Sequence, residues 1–265
     1  MCLVVAALGV CADWPVVLVA NRDEAFDRPT QPLTRHRGNA EHPAWLGGRD
    51  LLAGGTWMGA SANGRVAVVT NVRRATPVTH AQTSRGALAA DWLAGAPTPW
   101  RDHTPSTVNG CNLLLHDPAQ GWAQATNCNA DGSMQAQWQR RALGVGMHSM
   151  SNGHLTECWP KQYELMQAVQ DALRQPLPRR LSALHHALLS RRCPPDGQLP
   201  RTGVPLQAER QLGSVFVHWP SRAYGTRSSA VLWTTAEQPH TWRMCEWTHL
   251  PHASGTARTR SLRWG

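Results

Sequence analysis

Two short apolar runs open the chain, residues 3–8 and 16–20, and the second runs straight into Asn21-Arg22-Asp23-Glu24. Neither run is long enough for a core helix, and Asp13-Trp14-Pro15 lies between them. The pattern therefore predicts two paired, buried strands over 2–10 and 16–20. No Lys or Arg precedes the first run, so it reads as a strand rather than a signal peptide. A buried hairpin must sit inside a sheet with neighbours covering it. Its antiparallel return also brings the charged tetrapeptide back beside the chain's first residues. Those residues are Met1-Cys2. With Met1 removed, Cys2 would carry an α-amine and a thiol on one residue, a base and a nucleophile together.

The rest of the chain divides into runs. Residues 21–55 are rich in Pro, Gly, Arg and His and read as a long functional loop. Ala62-Asn63-Gly64 before the apolar run 66–71 predicts a hairpin with an Asn-Gly turn. Ser84 is placed to cap a helix through about residue 93, ended by Gly95. Short strands are expected at 112–116, 121–126 and 143–148. Trp159, Tyr163, Met166, Val169 and Leu173 then recur at helical spacing, with Pro160 suited to a first turn. A second helix is expected over 180–189, a Pro/Gly-rich loop over 191–211, and strands over 214–219, 229–235 and 241–247. Strands, then helices, then strands predict an α+β fold. Residues 1–250 read as one domain. Residues 251–265, with Arg258, Arg260 and Arg263, read as a basic disordered tail.

Composition removes several function classes. No apolar run reaches the roughly 20 residues needed to span a bilayer. The net charge of +9 is carried by scattered arginines, with Lys161 the single lysine, and no nucleic-acid-binding motif accompanies it, so no nucleic-acid partner is expected. Seven cysteines, odd in number and without close spacing, argue against a disulfide framework or a structural zinc site and for a reducing cytoplasm. Thirteen Trp against two Tyr and two Phe supply bulk for a core or for the wall of a ligand pocket.

Several segments together resemble one family. Met1-Cys2, Asn21-Arg22-Asp23-Glu24, Gly54-Gly55-Thr56-Trp57-Met58-Gly59, Thr70-Asn71-Val72-Arg73, Ser151-Asn152-Gly153, Trp159-Pro160-Lys161 and Tyr224-Gly225-Thr226-Arg227-Ser228-Ser229 occur in the order seen in the NRDE-motif, or transport and Golgi organisation protein 2, family. The resemblance implies a four-layer αββα sandwich of the N-terminal-nucleophile hydrolase type. It also implies links to haem trafficking, to acyl-CoA and lipid metabolism, and in animals to Golgi organisation. The layout is similar as well to the choloylglycine hydrolase and penicillin V acylase family, whose chains begin with a cysteine and cleave linear amides. That similarity carries over to Cys2, Asp23, Asn71, Asn152 and Arg227. One departure is Ala20, where those hydrolases place an arginine three residues before the aspartate.

What the resemblance implies chemically is a complete site. The Cys2 amine, with a pKa near about 8, takes the thiol proton and later returns it to the leaving amine. Asp23 orients that amine, Asn152 and Asn71 donate to the oxyanion, and Arg227 favours the thiolate. Such a site cleaves or transfers the acyl group of a linear amide or thioester and needs no cofactor or metal. Each residue also has a plainer role: a buried hydrophobe for Cys2, a solvated ion-pair cluster for Asp23 and its neighbours, turn caps for Asn71 and Asn152, a loop carboxylate's partner for Arg227. The rival function is a non-catalytic carrier of haem or an acyl compound, for which thirteen His, seven Met and the indoles provide ligands and walls.

Overall fold

The structure is a computed structural model describing residues 2–73, 82–98, 100, 103–249 and 258–263. Its strands and helices in chain order are β1 (Cys2–Leu8), β2 (Val16–Ala25), β3 (Thr30–His36), β4 (Trp45–Asp50), β5 (Met58–Ser61) and β6 (Val66–Asn71), then α1 (Arg85–Leu93). There follow β7 (Cys111–Asp117), β8 (Gly121–Cys128), β9 (Met134–Leu143) and β10 (Gly146–Met150). Next come α2 (Pro160–Leu173), α3 (Leu177–Leu188) and α4 (Leu206–Leu212), and last β11 (His218–Trp219), β12 (Tyr224–Thr235), β13 (Gln238–Thr248) and β14 (Arg258–Arg263).

The strands form two seven-stranded sheets. One runs β10-β1-β2-β12-β13-β14 with β11 added to β12; the other runs β3 to β9 in sequence order. All strand pairings are antiparallel. Alternation along the strands builds the layers. Val4, Ala6, Leu18 and Ala20 point between the sheets, against Met58, Val66, Val68 and Leu114. Their neighbours Leu3, Val5, Val17 and Val19 point the other way, under Leu165, Val169, Leu184 and Leu188 of α2 and α3. On the far side Ala67, Val69, Leu113 and Leu115 carry Leu88, Ala89, Trp92 and Leu93 of α1. The result is the expected α+β class with helix, sheet, sheet and helix stacked as αββα. Each fully buried leucine in these layers contributes about 1.5–3 kcal/mol.

The head hairpin forms as read, with Gly9 N–H donating to the Pro15 carbonyl at 2.8 Å and β2 continuing through the charged tetrapeptide to Ala25. Several other readings are corrected. The expected 21–55 loop contains the rest of β2 and also β3 and β4, which lie at the end of their sheet. In β3 only Leu33 is buried, so no apolar alternation announces a strand. The polar edge strand β9 is hidden for the same reason. Helix α4 interrupts the expected 191–211 loop. Tyr163 is 62% exposed, and Leu165 takes its place on the inward face of α2. Residues 258–263 of the expected disordered tail pair with β13 instead, with Leu262 packed on the inter-sheet core. Pairing there covers backbone groups that β13 would otherwise leave open. No described helix is long and apolar enough to cross a membrane.

Helix α1 begins as expected. The Ser84 hydroxyl accepts from the Ala87 N–H at 3.1 Å. Its first turn lies directly on the segment before β5, where Thr56 N–H donates to the Gly86 carbonyl at 3.0 Å. A Cβ on Gly55 would stand 2.2 Å from the Gly86 carbonyl carbon and 2.6 Å from the Ala87 nitrogen. Those are backbone atoms that cannot swing aside. Gly55→Ala is therefore expected to cost about 1–3 kcal/mol by overpacking. Thermal unfolding of the variant checks this; an unchanged melting temperature would mean that α1 can slide off this contact.

Candidate functional site

The register of β1 on β2 decides which charged residue meets Cys2. Cys2 stands opposite Arg22, and Leu3 opposite Asn21. Residues directly opposed share a face of the sheet. Arg22 thus lies on the Cys2 side, between the sheets, while Asn21 and Asp23 turn toward the helices. Asn21 is fully buried there. Its amide donates to the carbonyls of Leu188 at 2.8 Å and Val215 at 2.9 Å, and its oxygen accepts from Ser229 at 2.6 Å. It fastens the end of α3 to the sheet.

At the end of this strand pair the two sheets open into a cavity of about 280 Å³, lined among others by Cys2, Arg22, Asp23, Thr56, Trp57 and Asn71. Cys2 is 7% exposed. The Arg22 guanidinium lies 4.3 Å over the Trp57 ring and donates to the Thr30 hydroxyl at 3.3 Å. It also faces Asp50 at 3.7 Å and Glu24 at 4.0 Å. Arg28 completes the rim, binding Asp50 at 2.6 Å. Burial pushes the Asp50 carboxyl up, but the Arg28 hydrogen bond and the N–H groups of Ala53 and Leu52 outweigh it and hold Asp50 below its ordinary value. Burial pushes the Cys2 thiol up, with Asp23 adding to the rise and Arg22 opposing it. At neutral pH the thiol keeps its proton, so any nucleophilic role requires a base beside it.

Asp23 borders a second set of charges behind the cavity. Its Oδ1 accepts from the Thr226 hydroxyl at 2.7 Å, and its backbone carbonyl accepts from the Tyr224 hydroxyl at 3.1 Å. Burial raises the Asp23 carboxyl, opposed by Lys161, the Thr226 bond and Arg73. Lys161, 3% exposed on the first turn of α2, donates to the Leu212 carbonyl at 3.1 Å. Burial and the neighbouring Arg73 push its amine down to about 8 against the pull of Asp23 and Glu209. Arg73 binds Glu209 at 2.7 Å, and the other Glu209 oxygen accepts the Thr202 N–H and hydroxyl.

Of the five residues expected from sequence, Cys2, Asp23 and Asn71 share the cavity wall. Asn152 is not among the lining residues. Its amide donates to the Asn71 backbone carbonyl at 3.2 Å and to the Asn71 side-chain oxygen at 3.0 Å. An amide so engaged fixes the Asn71 side chain at the cavity wall. Asn112, which sequence reasoning missed, clamps the 151–153 turn through the Ser151 and Gly153 carbonyls. Arg227 is not part of the lining. It stands at a bulge where β12 shifts register on β2, and its guanidinium donates to the carbonyls of Ala25 at 2.8 Å and Arg28 at 3.1 Å. The arginine that stands opposite Cys2 in the strand register is Arg22. The 9–15 turn sets that register by opposing Leu8 to Val16.

Trp57 is the one indole among the cavity's lining residues. Other described indoles stand elsewhere, as in the Trp14–Trp233 stack at 5.3 Å. Among the described residues, no group of three or more His, Cys, Asp or Glu side chains is placed to hold a metal.

The sequence matches the family model described as Transport and Golgi organisation 2 over residues 1–250. A Transport and Golgi organization protein 2 homolog from Bos taurus is 27% identical over 236 residues, 84% of this chain and 83% of that protein. A homolog from Mus musculus is 23% identical over 230 residues, 82% of this chain and 81% of that protein. Solved structures that resemble it include the Caenorhabditis elegans ortholog of N-acylethanolamine-hydrolyzing acid amidase, with a TM-score of 0.47 and 12% identity over 93% of this chain and 99% of that one. Another is the C2A mutant of conjugated bile acid hydrolase from Clostridium perfringens, with a TM-score of 0.46 and 8% identity over 99% of this chain and 92% of that one.

Proposed function

The chain belongs to the Transport and Golgi organisation 2 family, and from that premise we propose that it is an N-terminal cysteine hydrolase that cleaves, or transfers the acyl group of, a linear amide or thioester. The observation that carries this reading is the position of Cys2 in a polar cavity, opposite Arg22 and beside Asp23 and Asn71.

In this reading Met1 is absent and the Cys2 amine takes the thiol proton. The sulfur adds to the substrate carbonyl, and the oxyanion that forms accepts from the Asn71 Nδ2. Collapse breaks the bond to the leaving group, which takes the proton back from the amine. Water then attacks the acyl-thioester with the same amine as base, regenerating the thiol. Arg22 favours the thiolate, and Asp23 orients the ammonium. One good oxyanion donor is worth about 2.7–4 kcal/mol of barrier. The lining favours this over carriage of haem or an acyl chain. Arg22, Asp23, Glu24, Arg28, Asp50 and Arg85 all contribute to it, whereas a carrier site needs mainly apolar walls.

Mass spectrometry tests the reading. Protein incubated with a nitrophenyl acyl ester is expected to lack Met1 and to gain one acyl group, mapped to the Cys2 peptide with the six other cysteines unmodified. A retained Met1, or acylation spread over other residues and absent from Cys2, would sink it.

A further inference from the structure

In the register of β12 on β2, Thr226 stands opposite Asp23 and Ser228 opposite Arg22, so Arg227 is an extra residue between them. Such a bulge re-aims the side chains beside it. Here it puts Ser228 on the face of Arg22 and keeps Thr226 on the face of Asp23, toward the helices. Thr226 and Asp23 are both buried there, 2% and 1% exposed. A threonine in a covered strand is ordinary, and a valine would fill the same space. What sets Thr226 apart is the way its hydroxyl is bound.

That hydroxyl has one proton and two partners. Its oxygen accepts the Val217 N–H at 2.9 Å, while the Thr226 N–H donates to the Val217 carbonyl at 2.8 Å. Its proton goes to Asp23 Oδ1 at 2.7 Å. An amide N–H only donates, so the hydroxyl cannot turn its proton toward Val217. Asp23 Oδ1 is therefore held as an acceptor. From the same strand, the Tyr224 hydroxyl donates to the Asp23 backbone carbonyl at 3.1 Å. β12 thus grips Asp23 at its carbonyl and at its carboxylate. A latch for the Val217 segment would need only the Thr226 oxygen; the bond to Asp23 adds nothing to that.

We infer that Thr226 is a positioning residue of the Cys2 site: its hydroxyl fixes the Asp23 carboxylate by Oδ1, and Oδ2 is the oxygen that serves the Cys2 amine. The inference rests on the reading of Cys2 as nucleophile. A hydrogen bond to a carboxylate also favours its ionised form. The other titratable groups around Asp23 are the Cys2 thiol from β1, Lys161 from α2, Arg73 after β6 and the Tyr224 phenol from β12. Glu209 from α4 is bound to Arg73 at 2.7 Å.

The chain has two tyrosines, which makes the bond measurable in the intact protein. Tyr163 is exposed on α2, whereas the Tyr224 hydroxyl lies on the Asp23 carbonyl. With ¹³C placed at the tyrosine Cζ, the Tyr224 resonance is expected to shift as Asp23 takes up a proton, and Asp23→Asn to remove that step. Thr226→Val is expected to move the midpoint to higher pH, a gain of about tenfold in proton affinity. The same variant is expected to slow acylation of Cys2 by a nitrophenyl ester about tenfold or more, the usual result of a misplaced catalytic group. Thr226→Ser, which keeps the hydroxyl, is expected to keep both the midpoint and the rate. Should Thr226→Val not fold, Thr226→Ala removes the same donor. A midpoint unmoved by loss of the hydroxyl, a raised midpoint in Thr226→Ser, or a raised midpoint with acylation unslowed would overturn the inference. The titration needs no substrate, so a protein whose Cys2 is never acylated would refute the proposed function, while the titration still decides whether Thr226 governs Asp23.

Discussion

Cys2→Ala is expected to lower turnover of an amide or thioester substrate by a factor on the order of 10⁴ or more while leaving the melting temperature within a few degrees. The activity loss is large because nothing else in the cavity can substitute. Cys11, Cys111, Cys128, Cys158, Cys193 and Cys245 are free thiols outside the lining. Thr56, Thr70 and Ser84 do line it, but the Thr56 hydroxyl donates to the Gly48 carbonyl at 2.7 Å, the Thr70 hydroxyl to the Ser151 carbonyl at 2.6 Å, and the Ser84 hydroxyl caps α1. A hydroxyl so engaged is a weak nucleophile without an adjacent base. The stability loss is small because Cys2 is the first residue of its strand and the deletion removes one sulfur. Steady-state kinetics beside a thermal melt give both numbers. Equal turnover in the variant would move the chemistry elsewhere, and a collapse in melting temperature would make Cys2 a packing residue first.

How far this site could be read without coordinates depends on the range of the interactions. The head hairpin, the Asn63-Gly64 turn and the Ser84-capped helix are local, and each carries its own cue in turn chemistry, capping or apolar period. Strands β3, β9 and β14 carry no such cue. They lie at sheet edges, where one apolar side chain such as Leu33 or Leu262 suffices and neighbouring strands dictate the rest. The same division holds within the site. Cys2 and Arg22 meet through the register of a local hairpin, whose existence the sequence announces and whose 9–15 turn sets the pairing. The Arg73–Glu209 pair joins residues 136 positions apart and has no local trace. Arg227 lies away from the cavity lining, where a bulge at residues 226–228 leaves it bonded to the carbonyls of Ala25 and Arg28, and a bulge of this kind has no cue in the sequence. Asn152 bonds to Asn71 across 81 positions of sequence, a contact with no local trace either.

The tetrapeptide 21–24 divides by face, and that division predicts opposite behaviour for adjacent residues. Asn21→Ala is expected to destabilise the protein by roughly 3–5 kcal/mol, because it leaves the Leu188 and Val215 carbonyls and the Ser229 hydroxyl without the partner they have now. An unpaired buried polar group costs about 1–3 kcal/mol. The Ser229 hydroxyl retains its contact with His249 Nε2 at 2.8 Å, which keeps the total below three full penalties. Asn21→Asp should be at least as damaging, since a carboxylate would then face two carbonyl oxygens. Arg22→Met behaves otherwise. It gives up the contacts to Asp50, Glu24 and Thr30 at the cavity rim but keeps an apolar stem against Trp57. That variant should remain folded and lose the positive charge opposite Cys2. Urea denaturation separates the two: a lower midpoint with unchanged slope for both Asn21 variants, a midpoint near that of the unsubstituted protein for Arg22→Met, and slower Cys2 alkylation in the last alone. The reverse order, with Arg22→Met unfolding first, would mean that the guanidinium is a structural pin and that the cavity has lost its cation for the thiol.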